Sequence, residues 1–193
     1  MNGYLEIVIG PMFSGKTKSL IAIYNSLYKT ENVIAINHKI DNRYSENMIS
    51  SHDKDMIPCI MIDDIYDCWF NEKSEWYKCL HESNFILINE GQFFNKLYSA
   101  VIDMLYHEKK VFIYSLDGDY KQDKFGEVLD LIPYCDYIEK RKAICKKCKG
   151  HAIFTNRICN DKSQVLVGAN VEYEPLCRSC YKNIQQNDEI SLD

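Results

Sequence analysis

The run Gly10-Pro11-Met12-Phe13-Ser14-Gly15-Lys16-Thr17 brings glycines, an ammonium and a hydroxyl together at the spacing of a phosphate-binding loop. In such a loop the main-chain N–H groups and the start of the following helix make a concave anion site, which Gly15 lets phosphates approach closely. Lys16 would reach the β- and γ-phosphates of a nucleoside triphosphate, and the Thr17 hydroxyl would ligate Mg²⁺ bridging the same oxygens. The plainer alternative is a glycine-rich turn that only joins a strand to a helix.

Two Cys-x-x-Cys pairs, Cys145/Cys148 and Cys177/Cys180, have the spacing at which thiolates from tight turns grip a tetrahedral Zn²⁺. Four soft ligands close the coordination shell and leave no open position for catalysis, so the expected zinc is structural. Unrelated buried or redox cysteines are the alternative. The other five cysteines show no ligand spacing and read as small buried hydrophobes or surface thiols.

Glu90 follows an apolar run and should lie at the carboxyl end of a sheet strand, the side on which open α/β sheets bind ligands. A carboxylate there can act as general base toward a hydroxyl within hydrogen-bond reach. It can equally cap a helix starting near residue 94 or 95. Phe93, Phe94, Tyr120 and Phe125 could stack on a nucleobase or fill an ordinary core.

These groups must be held by elements that the hydrophobic pattern outlines. Residues 4–9 read as a buried strand and 16–28 as a helix, so strand, glycine turn and helix follow in order. Further strands are predicted at 32–37, 57–62, 85–88 and 111–116, with helices over 64–81 and 95–107 and a long polar loop over 41–54. Strands alternating with helices imply a mostly parallel, buried sheet. Near Arg141 the character changes to a Lys- and Cys-rich region, which divides the chain into 1–141, 142–186 and an acidic tail, 187–193, with no predicted structure.

The chain has 193 residues, enough for one substantial core and a small appended module. It is 46% hydrophobic and 26% charged, the composition of a soluble globular protein, and its apolar stretches are too short to span a bilayer. The start lacks the features of a secretory signal, so a reducing, cytoplasmic setting is expected, in which nine cysteines favour metal over disulfides. A net charge of −5 argues against nucleic acid as the main partner. The basic cluster Lys140, Arg141, Lys142, Lys146, Lys147 and Lys149 then reads as a solvated face or a local nucleic-acid contact.

The phosphate loop, DNRY at 41–44, EGQFF at 90–94, LDGDY at 116–120 and the paired Cys-x-x-Cys together resemble the type II thymidine kinases, cellular and poxvirus-like. The resemblance runs in the family's order over most of the chain. It implies a P-loop α/β domain with a parallel sheet flanked by helices, and a small zinc-binding lid carrying a lasso loop. It further implies transfer of the γ-phosphate of Mg-ATP to the 5′-hydroxyl of thymidine or deoxyuridine, a homotetramer, and the host cytoplasm as the setting of a viral member.

Carried over motif by motif, Gly10 to Thr17, Asp41, Asn42, Arg43, Asn89, Gly91 and Gln92 lie at the nucleotide, and Glu90 takes the hydroxyl proton. Met12, Phe93, Leu116, Tyr120 and Phe125 surround the base. Thr155, Gln164, Val165, Leu166, Val167, Gly168 and Tyr173 close over the nucleoside. The chain departs from the family at Asn89, where an Asp that helps to hold Mg²⁺ is usual. It departs again in LDGDYKQDKFG, where a run nearer LDGTFQRKPFG is usual. A kinase of another nucleoside, a catalytically weakened relative and a zinc-ribbon module for nucleic acid are the competing readings.

Overall fold

The computed structural model describes residues 2–41, 47–51, 53–166, 168 and 171–190. The chain runs β1 (Tyr4–Ile9), α1 (Lys16–Leu27), β2 (Val33–His38), β3 (Met48–Ser50), β4 (Met56–Pro58), β5 (Ile60–Ile62), α2 (Ile65–Phe70) and α3 (Tyr77–Glu82). It continues with β6 (Phe85–Asn89), α4 (Leu97–Tyr106), β7 (Lys110–Ser115), β8 (Tyr137–Lys140), β9 (Ala143–Ile144), β10 (His151–Ala152), β11 (Phe154–Arg157), β12 (Tyr173–Leu176) and α5 (Arg178–Ile190).

Among the described residues six strands form one sheet in the order β5-β2-β6-β7-β1-β8, and each pairing is parallel. Parallel strands need helices on both faces, and both are covered. On one face α4 buries Leu97, Ala100, Val101 and Met104, the i, i+3, i+4, i+7 stripe of an amphipathic helix, among Ile7, Ile86 and Ile113. Each large side chain buried this way contributes about 1.5–3 kcal/mol. On the other face Leu20 and Ile21 of α1 pack on Val8, Leu87 and Phe112.

Three elements differ from the periodic reading. The helix expected over 64–81 is two, α2 and α3. Asp64 caps the first by accepting from Asp67 N, and Asn71 then leaves the helical region and turns the chain, its Oδ1 accepting from Lys73 N at 3.0 Å. Asn competes for local backbone groups in this way and so interrupts helices. The strand expected over 57–62 divides at Pro58, which cannot donate to a ladder. β4 therefore pairs back on β3 in a hairpin, while β5 joins β2. In the acidic tail α5 stays helical to Ile190, carried on from the turns that Tyr181 and Ile184 anchor in the lid core.

Beyond β8 two antiparallel pairs, β9·β10 and β11·β12, and α5 form a small lid around Ala143, Cys145, Ala152, Leu176 and Tyr181. Phe13 of the glycine-rich loop packs against that core, so the lid rests on the loop. Among the described residues no helix is long and apolar enough to cross a membrane.

Candidate active site

The carboxyl ends of β1, β2, β6 and β7 open on one cavity of about 240 Å³. After β1 the chain enters the turn Gly10 to Gly15. Gly10 has φ 149°, and a Cβ there would lie 2.6 Å from the Arg141 carbonyl oxygen, so only glycine fits. Phe13 is left-handed at φ 65°, and Gly15, at φ 78°, precedes α1. Lys16 is buried, and its Nζ donates to the carbonyls of Gly10 at 3.0 Å and Pro11 at 2.8 Å, which fixes the ammonium inside the turn. Met12, Phe13, Ser14, Gly15 and Thr17 line the cavity beside it.

Arg141, read from the sequence only as part of a basic cluster, braces this turn from the lid side. Its guanidinium donates to the Gly15 carbonyl and to Ser19 Oγ, both at 3.0 Å, and its main-chain N–H donates to the Ile9 carbonyl at 2.8 Å. No local pattern announces this role, because the contacts join residues more than a hundred positions apart.

At the end of β6 Glu90 takes the left-handed conformation, φ 51° and ψ 43°, ahead of a single 3₁₀ turn, Gly91–Phe93. Its side chain makes no capping bond to that turn, and strained non-glycine backbone of this kind concentrates at functional sites. Gln92 Nε2 donates to Glu90 Oε2 at 2.6 Å. Gln92 Oε1 in turn accepts from Ser115 Oγ at 2.9 Å and Leu116 N at 3.0 Å, so the end of β7 aims the carboxylate. Gly126 backs Gln92 so closely that a Cβ would lie 2.4 Å from the Gln92 carbonyl.

Asn89, buried beneath Glu90, donates from Nδ2 to Asn37 Oδ1 at 3.0 Å, and Asn37 Nδ2 donates to Asp41 Oδ2 at 3.3 Å. The amide at the end of β6 is thus wired to a carboxylate that lines the cavity. Asn42 and Arg43 lie outside the described residues, as does Val167.

At the other end of the cavity Phe93 meets Phe125 edge to face, with centroids 5.5 Å apart and planes at 85°, beside Leu116 and Tyr120. Thr155, Gln164, Leu166, Gly168 and Tyr173 close this end, and Thr155 Oγ1 accepts from Met12 N at 3.0 Å. Val165 is exposed, and Pro11, Asn89 and Gly91 support the cavity from behind its lining.

Arg157 organises the loop that closes the cavity. Its side chain is 1% exposed and donates to the carbonyls of Asp161, Ser163 and Gln164 and to Tyr173 Oη. It also stacks 3.9 Å from the centre of the Tyr120 ring. Tyr173 Oη donates onward to the Leu166 carbonyl at 2.8 Å. Burial raises the Tyr173 pKa while Arg157 works against that rise, so the phenol stays protonated and able to donate.

The ligand atoms of Cys145, Cys148, Cys177 and Cys180 all lie within 4.8 Å of one another. Burial opposes ionisation of Cys145, but the N–H groups of Cys148, Cys177 and Lys147 bring its pKa down to about 6. A thiolate-rich set of this shape fits tetrahedral zinc, and no other group of possible metal ligands of this kind occurs among the described residues. The Thr17 hydroxyl and Asp41 carboxylate, on the same cavity as Lys16, are the hard oxygen donors that suit Mg²⁺.

Residues 3–181 match the family model described as thymidine kinase. The chain is 31% identical over 187 residues to the thymidine kinase of Yaba monkey tumor virus, the match covering 95% of this chain and 97% of that one. It is 33% identical over 194 residues to thymidine kinase 1 of Dictyostelium discoideum, covering 96% and 80%. With the thymidine kinase of Bacteroides fragilis it shares 35% over 188 residues, covering 96% and 90%.

Proposed function

This chain belongs to the thymidine kinase family, and from that premise we propose that it transfers the γ-phosphate of Mg-ATP to the 5′-hydroxyl of thymidine and deoxyuridine. The product is the nucleoside monophosphate of nucleotide salvage. The observation that carries this reading is the single cavity that joins Lys16 and Thr17 to Glu90 and to the Phe93–Phe125 pair.

The donor's phosphates lie along the main-chain N–H groups of the glycine-rich turn, with Lys16 and Arg43 offsetting charge on the transferring group. Glu90 takes the proton of the 5′-hydroxyl as its oxygen bonds to the γ-phosphorus and the bond to the β-phosphate oxygen breaks. Gln92 holds Glu90 in line for that step. Phe93 and Phe125 hold the base, and the loop on Arg157 closes over the nucleoside and excludes water that would compete with it as acceptor. Thr17 and Asp41 would hold Mg²⁺, which would supply positive charge to offset that of the donor's phosphates.

In this reading residues 1–141 form the donor-binding domain and 142–186 the lid. Zinc on the four cysteines is structural, the chain works as a homotetramer, and its setting is the reducing cytoplasm. Incubation with labelled ATP and a panel of nucleosides tests the reaction. Thymidine and deoxyuridine should be phosphorylated and Glu90→Gln should lose on the order of 10²-fold or more in kcat. Equal rates on purine nucleosides, or full activity of Glu90→Gln, would refute it.

A further inference from the structure

Asp119 is 7% exposed, and its neighbours account for both carboxylate oxygens. Oδ1 accepts from Lys121 N at 2.8 Å and Asp123 N at 3.0 Å, which folds residues 119–123 into a tight turn. Oδ2 accepts at 2.9 Å from Nε2 of Gln164, which lies on the loop that closes the cavity. Gln164 Nε2 also reaches the Lys124 carbonyl at 3.4 Å, and the Gln164 carbonyl is held by Arg157 at 3.1 Å. A third link, Tyr120 Oη donating to the Lys162 carbonyl at 3.0 Å, runs between the same two segments.

We infer that Asp119 and Gln164 form a latch that holds the closing loop over the nucleoside, positioning Gln164 and Leu166 before the nucleoside arrives. The segment carrying Asp119 also carries Leu116, Tyr120 and Phe125 of the aromatic end, so the latch ties the wall of the base pocket to its cover. A buried carboxylate needs its hydrogen bonds, and removing the amide donor leaves Oδ2 without it. The loop then opens more often, and apparent affinity falls with the fraction that is closed. Asp119 and Gln164 are positioning residues. The proposal rests on the nucleoside kinase reading for its kinetic effect and on the fold alone for its effect on the loop.

The geometry supplies a reciprocal test. D119N keeps an oxygen for Lys121 N and Asp123 N but turns an amide donor toward the Gln164 donor. Q164E sets a carboxylate against Asp119. Combining D119N with Q164E restores one donor and one acceptor with the direction reversed. Full-length, zinc-loaded protein is assayed for nucleoside KM, Mg-ATP KM and kcat, and amide exchange is followed in residues 158–166. Each single change should raise nucleoside KM about tenfold, with the larger effect on KM than on kcat and Mg-ATP KM unmoved, and the pair should recover most of the loss. Exchange in 158–166 should quicken in each single variant and slow again in the pair. Losses that merely add in the pair, or single variants whose KM and exchange match the parent, overturn the latch. A parent enzyme that leaves thymidine untouched refutes the kinase reading instead, and the exchange pattern then decides the latch by itself.

Discussion

Glu90 and Gln92 are two residues apart and joined side chain to side chain at 2.6 Å, with Gln92 in turn pinned by Ser115 and Leu116 at the end of the neighbouring strand. The carboxylate is therefore aimed by two strands at once. Gln92→Ala removes the bracket without touching the glycine-rich turn. We expect kcat to fall about 10- to 100-fold while the affinity for a magnesium nucleotide changes less than about twofold. Steady-state kinetics with equilibrium nucleotide binding checks this, and equal losses in both would show that Gln92 shapes the whole cavity.

In the proposed site Asn89 stands where a carboxylate would add charge near Mg²⁺, and it is linked to Asp41 through Asn37. A unit-charge contact at about 4 Å in an effective dielectric of about 20 is worth on the order of 4 kcal/mol, and a contact through water is worth less. Asn89→Asp should lower the Mg²⁺ concentration for half-maximal activity about three- to tenfold, with Asn37 turning its amide to donate to the new carboxylate. An Mg²⁺ titration that superimposes on that of the parent chain would remove Asn89 from the account of metal binding.

The lid core contains Cys145, Cys177 and Cys180 along with Phe154, Tyr181 and Phe13. Losing zinc should unfold the lid ahead of the sheet, because the short β9·β10 and β11·β12 pairs have little apolar area of their own. Chelation, or Cys177→Ser, should turn a single melting step into two. Nucleoside affinity should be lost before nucleotide affinity, since Thr155, Arg157 and Gln164 all hang from the lid. Verified zinc-free protein that melts in one step at the original temperature would contradict this.

Burial lowers the pKa of His38 below 6.5 despite the nearby Asp63 and Asp41, and its Nδ1 accepts from Ile40 N at 3.1 Å. Because the unfolded chain takes up this proton first, the contribution of His38 is complete above about pH 6.5 and is lost as pH falls through the lower folded value. Urea midpoints at pH 7.5 and 5.5 should differ more for the parent chain than for His38→Gln. Parallel pH dependences would show that the imidazole is not held neutral.

The local features could be read directly from the chain. A loop whose function lies in consecutive residues, such as Gly10 to Thr17, and a helix whose period is unbroken, such as the Leu97–Met104 stripe, carry their signal within a few positions. The turn at Asn71 and the break at Pro58 are also local, but helix-forming residues on both sides mask the first and the apolar run 57–62 masks the second. Arg141, Arg157 and the Asp119–Gln164 pair gave no such signal. Their partners lie in other segments, and a buried arginine on a strand looks like any other charge until the carbonyls it gathers are in place.

Arg141 grips the first turn of α1 with its guanidinium and the last residue of β1 with its backbone, while the next residues lead straight into the zinc-binding hairpin. The link to the lid and the floor of the glycine-rich turn are thus one piece of chain. In the proposed reaction, swinging the cover away to release product would tug on the turn that seats the spent nucleotide, which would gear the departure of the two products together.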